Sequence, residues 1–363
     1  MGMQFVGQTA HSTDLWVLMG DGALFAALLL SFLGVHEFGH YFAAIHHNIR
    51  VTLPYFIPVP FAIGTMGAVI RIKEKINDTK KLFDLGISGP LAGFVVSLVV
   101  LLIGFFTLPD PSFINNFSGH EAVQEYVAQH GTYPDAPLHE PSMEEGPLAG
   151  QVMVLGNTLL YSFLAQFFEN VPPMFEMYHY PFLFAGWLGL FFTALNLMPI
   201  GQLDGGHILY SLVGFRNHQK FARIFYTAVS ALAGVGFVPW IGGWLAGYSP
   251  SFQLVSWILW AGLLFAMMRK AFHNNHQWIA PSLAGSLIIS GILIYFIIGD
   301  VSPQSYFMWL IWLLFINFAV GVEHPPALFE RRLDPVRRFW GWTSMVIFVL
   351  CFSPNPVYLL NIG

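Results

Sequence analysis

Ala23-LFAALLLSFLGVHEFGHYFA-Ala44 is an apolar run long enough to cross a bilayer, and it carries His36-Glu37-Phe38-Gly39-His40 inside it. Residues four apart on a helix lie one above the other on one face, so His36 and His40 can share one metal ion. Glu37, beside the first histidine, is placed to act as a base on an attacking water. Ionisable residues are costly within a membrane and mark functional sites there. A hydrolytic metal motif in such a helix therefore sets both the fold class and the chemistry to look for.

The rest of the chain agrees with a membrane setting. Of its 363 residues, 55% are hydrophobic and 10% charged, with a mean hydropathy of +0.60. This excludes an ordinary soluble domain and predicts an all-α polytopic membrane protein. No basic tract points to nucleic acid. The lone Cys351 rules out an internal disulfide and a cysteine-based zinc site. Met1 to Asp14 lacks the basic start and small-residue cleavage site of a signal peptide. The first span is expected to act as its own insertion signal, with a prokaryotic cell membrane as the default location.

Hydropathy predicts spans at about 15–47, 82–108, 181–199, 223–247, 252–270, 279–298, 304–322 and 339–355. All 15 Lys and Arg residues fall in four alternate connections. Arg50, Arg71, Lys73, Lys75, Lys80 and Lys81 separate the first two spans. Arg216, Lys220 and Arg223 follow the third, Arg269 and Lys270 the fifth, and Arg331, Arg332, Arg337 and Arg338 the seventh. The other connections carry Asp110, Glu121, Glu125, Asp135, Glu140, Glu144, Glu145, Glu169, Glu176 and Asp300. The positive-inside rule makes the basic connections cytoplasmic and both termini extracytoplasmic. An acidic outer loop then covers 109–146. A crossing by the apolar stretch 147–170 would reverse this pattern, so it is expected to lie on or dip into the outer leaflet.

A catalytic zinc site needs a third protein ligand and one open position. The first span and 181–199 run in the same direction. The latter ends in Asn196-Leu-Met-Pro199-Ile-Gly-Gln-Leu-Asp204-Gly205-Gly206-His207, which brings Asp204 to the depth of HEFGH. Pro199 breaks the helix and the glycines permit close approach, so an interrupted helix presents Asp204 as third ligand. Asn196 is positioned to donate a hydrogen bond to a developing oxyanion. His207 is open between facing the metal, orienting Asp204 and capping a helix, and is left out of the ligand set. His46 and His47 are expected at the interface, and His120, His130 and His139 in solvent.

The stretch Val51-TLPYFIPV-Pro60 is apolar but too rich in proline for a helix, and Gly64-Thr-Met-Gly67 leads into 68–73, which alternates in a strand-like way. A re-entrant loop or hairpin near the active site is expected, with an edge that an extended substrate could join. The competing reading is a surface loop that only connects spans. Gly86, Gly89 and Gly93 predict close helix packing.

HEFGH, NLMPIGQLDGGH and Leu82-FDLGISGPLAG-Phe94 together resemble the site-2 protease family of intramembrane zinc metallopeptidases, in the branch without a PDZ domain. The likeness covers roughly 20–215. It implies Zn2+ held by His36, His40 and Asp204, Glu37 as general base, and Asn196 at the family's Asn position. It also implies a membrane-protein substrate, cut in or near a transmembrane segment. Residues 1–215 would form the catalytic core and 216–363 the added C-terminal helices, including Glu323-His-Pro-Pro326. The rival function is a metal-ion transporter or channel. It should show paired broken helices in two related halves, and neither motif has a second copy.

Overall fold

The structure, a computed structural model, describes residues 15–58, 65–139, 151–297 and 301–361. Outside the described residues lie the N-terminal stretch to Asp14, residues 59–64, and Glu140, Glu144, Glu145 and Asp300.

Every predicted span is met by a helix. These are α1 (Leu15–His46), α2 (Thr79–Phe106), α5 (Pro181–Asn196), α7 (Phe215–Ala246), α8 (Val255–Ala271), α9 (His276–Ile297), α10 (Phe307–Phe315) and α11 (Pro335–Cys351). Three short helices join them: α3 (Glu121–His130), α4 (Leu159–Ala165) and α6 (Asp204–Val213). The chain is a multi-pass membrane protein. Among the described residues, five segments are long and apolar enough to cross on their own: Gly22–His46, Thr79–Phe106, Phe215–Ala246, Pro250–Ala271 and His276–Phe296. α5 and α10 are shorter because each stops at a break. α5 yields to the Pro199 loop. α10 widens into a π turn at Ile316–Val320 and ends at Gly321, where φ is 79°.

Local chemistry sets the other helix starts. Asp78 caps α2 by accepting from the Lys80 N–H, and Asp334 caps α11 by accepting from the Arg337 N–H, with Pro335 in the first helical position. α1, α2 and α5 form the packed centre, with Phe32, Phe83, Leu101 and Trp187 buried among them. A methyl group on Gly186 would lie 2.8 Å from the Leu101 Cα, so α5 crosses α2 at nearly backbone contact.

Two small antiparallel sheets complete the fold. β1 (Tyr55–Pro58) pairs with β2 (Thr65–Val69), which gives the expected hairpin. β3 (Gln151–Leu155) pairs with β4 (Val357–Asn361). The described part of 147–170 is therefore β3 and the seven-residue α4, about 10 Å long and too short to cross. This agrees with the expectation that it does not span.

The connections segregate as their charges do. Arg331 pairs with Asp78 at 3.3 Å, and Arg337 grips Asp84 with two bonds of 2.7 Å. Arg223 pairs with Glu323 at 2.6 Å, and Glu323 also meets His273 at 3.7 Å. All four basic connections thus meet at one end of the bundle. The other end gathers β3, β4 and the segment at Val301, which bridges to Leu360.

Two side chains depart from their expected surroundings. Arg223 is buried, stacked over Phe272 and Trp278, because Glu323, itself held by the Gln219 amide, neutralises and fixes it there. His47 is not simply interfacial: it bonds Asp84 at 2.8 Å within the Arg337 network.

Candidate metal centre

Gly39 within HEFGH lets α1 rest on α2, since a Cβ there would sit 2.6 Å from the Ser88 carbonyl oxygen. This crossing buries one face of α1 and turns both histidines inward. Phe38 and Phe42, one turn apart on the other side, remain exposed and provide an apolar surface for lipid. His36 and His40 are both buried. Their Nε2 atoms are 3.1 Å apart. Asp204 Oδ2 lies 3.5 Å from His36 Nε2 and 3.3 Å from His40 Nε2. Donors about 2.0–2.2 Å from one ion at tetrahedral angles sit about 3.3–3.6 Å from one another. Three donors at these separations fit one ion, and two imidazoles with a carboxylate suit zinc.

The ring of His40 is already oriented for this. Its Nδ1 bonds the Leu85 carbonyl at 2.8 Å. A carbonyl only accepts, so Nδ1 carries the hydrogen and Nε2 keeps its lone pair. Asp204 opens α6, where the helix N-terminus favours a carboxylate. Glu37 is half-buried, and the Ile70 backbone N–H, just beyond β2, hydrogen bonds its carboxylate. The hairpin thus touches the candidate base. Phe56 of β1 also packs near Gly34 of α1. Asn196 is the last residue of α5, half-buried at the start of the loop leading to Asp204.

Two contributions were not read from the sequence. The first is what the glycines of α2 make room for. A Cβ on Gly89 would stand 2.2 Å from His40 Nε2, one on Gly93 would stand 3.2 Å from the His36 Cβ, and one on Gly86 would stand 2.9 Å from the His207 Cβ. The stripe is the floor of the site as well as a packing surface. Its spacing was visible; the depth that aligns it with the histidines was not.

The second is a strap at 321–334 that holds the Asp204 loop. The Gly201 N–H donates to the Val322 carbonyl at 2.9 Å. Gly201 has φ of 55°, and a Cβ there would meet the Gly321 carbonyl oxygen at 2.0 Å. Trp312 Nε1 reaches Met198 Sδ at 2.9 Å. The His324 Nδ1–H donates to the Pro325 carbonyl, so its Nε2 accepts from the His207 Nδ1–H at 2.8 Å. His207 is thereby fixed against α2 by the strap, and burial holds His324 below the ordinary imidazole pKa. Tyr210 Oη binds both the Ala327 N–H and Glu330. Glu323-His-Pro-Pro326 therefore joins α7 to α6. Replacing Glu323 with Ala would leave Arg223 buried without its carboxylate, at a cost of about 3–5 kcal/mol. The expected result is a clear fall in the thermal unfolding midpoint of the detergent-purified protein.

The histidines of the 109–146 loop separate. His130 stacks on Tyr126 and stays exposed. His120 is not a solvated loop residue: it bonds Glu176 at 3.2 Å and approaches His179 at 3.0 Å. Glu176 and His179 precede α5, far along the chain, which hid the grouping from the sequence.

Comparison with known proteins gives consistent relatives. The model for "Peptidase family M50" matches residues 24–238. A "Probable zinc metalloprotease EGY2, chloroplastic" of Oryza sativa subsp. indica is 29% identical over 283 residues, 76% of this chain and 43% of the relative. The Arabidopsis thaliana protein of the same name is 31% identical over 213 residues, 58% of this chain and 32% of the relative. "Probable zinc metalloprotease EGY1, chloroplastic" of Arabidopsis thaliana is 27% identical over 216 residues, 58% and 34% of the two chains. The chain thus spans less than half the length of these relatives. No solved structure matches it.

Proposed function

Because the chain belongs to peptidase family M50, we propose that it is an intramembrane zinc metalloprotease. It would hydrolyse peptide bonds in or near transmembrane segments of membrane-protein substrates. The observation that carries this reading is the convergence of His36, His40 and Asp204 donors at 3.1–3.5 Å, with Glu37 on the same helix. His36, His40 and Asp204 would hold the zinc. When bound, zinc supplies Lewis-acid polarisation of a carbonyl and lowers the pKa of water. Glu37 takes a proton from the attacking water and delivers it to the leaving amine. Asn196 donates to the oxyanion that develops on the scissile carbonyl.

A substrate helix must unwind to expose its peptide bonds. The β1–β2 hairpin supports a way to receive it, since an outer strand edge beside Glu37 can pair with an extended segment. The catalytic core would comprise residues 1–215 and the added helices 216–363. The basic end would face the cytoplasm across a cell membrane, leaving the active site near that face. A transporter using the same donors leaves Glu37 without a task.

The test is cleavage of a transmembrane reporter by the purified full chain in detergent. Chelation should abolish cleavage and zinc should restore it. Cleavage that persists without metal, or zinc flux into liposomes without cleavage, would overturn the protease reading. Separately, Asp204→Ala should remove the zinc held by the two histidines, read by elemental analysis at equal protein concentration.

A further inference from the structure

We propose that His120, Glu176 and His179 form a second metal site, distinct from the His36, His40 and Asp204 centre, that takes Zn2+ or a similar late transition-metal ion. One donor atom from each of the three lies within 4.8 Å of the others. His120 Nε2 and His179 Nε2 are 3.0 Å apart, and Glu176 Oε2 lies 3.6 Å from His179 Nε2. These spacings are close to those of the first centre and fit donors around a single ion.

The protonation pattern favours it. Glu176 Oε1 bonds His120 Nδ1 at 3.2 Å. A carboxylate accepts, so Nδ1 carries the hydrogen and His120 Nε2 presents its lone pair towards His179. One carboxylate oxygen orients His120, while the other faces His179. Glu176 and His179 are buried, and His120 is largely so. Two imidazoles and a carboxylate select zinc and its neighbours over calcium or magnesium.

The surrounding fold gives the ion a task. Residues 111–139 form a cap whose own buried core is Ile114, Phe117, Val123 and Val127. So small a core cannot hold a segment of this size by itself. Phe117 stacks on His179 with ring centres 3.9 Å apart, and Tyr133 bonds Tyr180 through their hydroxyls. His120 is the residue before α3 in the cap, whereas His179 lies two residues before α5, whose N-cap is Tyr180. An ion between them staples the cap to α5. That helix has 16 residues, about 24 Å, and the loop after it leads to Asp204.

Zinc content of the full chain tests this. Protein purified in detergent is stripped by chelator, reloaded with zinc and desalted. Wild type should hold two equivalents, Asp204→Ala one, and Glu176→Gln or His179→Ala one. Asp204→Ala combined with Glu176→Gln should hold none. One equivalent in wild type with none in Asp204→Ala would overturn the proposal, as would unchanged zinc in the double variant. Cobalt loading of Asp204→Ala keeps the outer residues intact and needs no change to the cap. Visible d–d absorption is expected, and its absence would also overturn the site. None of these outcomes depends on proteolysis, so failure here and failure of the protease reading are separable.

Discussion

Glu37→Gln is expected to keep its zinc and lose about 10²–10⁴-fold in cleavage rate, the usual worth of a positioned acid–base group. The substitution retains size and a hydrogen-bond acceptor for the Ile70 N–H but cannot take a proton from water. None of the donors in the histidine–aspartate cluster is altered. Zinc content and single-turnover cleavage of a transmembrane reporter, measured on the same preparation, check both halves. Retained cleavage would remove Glu37 from the chemistry. Loss of zinc along with cleavage would make it a structural support of the site.

Gly89→Ala should have an effect of similar size by another route. The added methyl would stand 2.2 Å from His40 Nε2, 2.5 Å from its Cδ2 and 2.6 Å from its Cε1. Neither α2 nor α1 can yield freely, since Gly39 already presses on the Ser88–Gly89 backbone. The ring must leave its position, breaking the Leu85 bond that orients it. Zinc affinity should fall about 100-fold, at the upper end for loss of a ligand's supporting contacts. A competition titration with a zinc dye reads this. Gly20→Ala, where an added Cβ meets nothing within 4 Å, should leave affinity unchanged.

The helices were legible because hydrocarbon thickness imposes a length and because Lys and Arg mark alternate ends. HEFGH showed two donors through helical periodicity alone. Asp204 was reachable because depth in a membrane acts as a coordinate shared by distant segments. The remaining parts depend on pairings that no local pattern records. β3 meets β4 across most of the chain, and Gly321-Val322 reaches back to Gly201. His120 looked like a loop residue because its partners Glu176 and His179 come from another segment. The strap residues Glu323 and His324 carried no readable role, since that role lies in Arg223 and His207.

The strap also sets an order of events during synthesis. The histidines and Asp204 leave the ribosome before residues 321–334, which fasten the aspartate loop and its helix. A nascent chain therefore owns all three donors while the loop between Pro199 and Asp204 is still unfastened. On the proposed protease reading, cleavage of neighbouring nascent helices would wait until the tenth helix and residues 321–334 have been made and fastened to the aspartate loop.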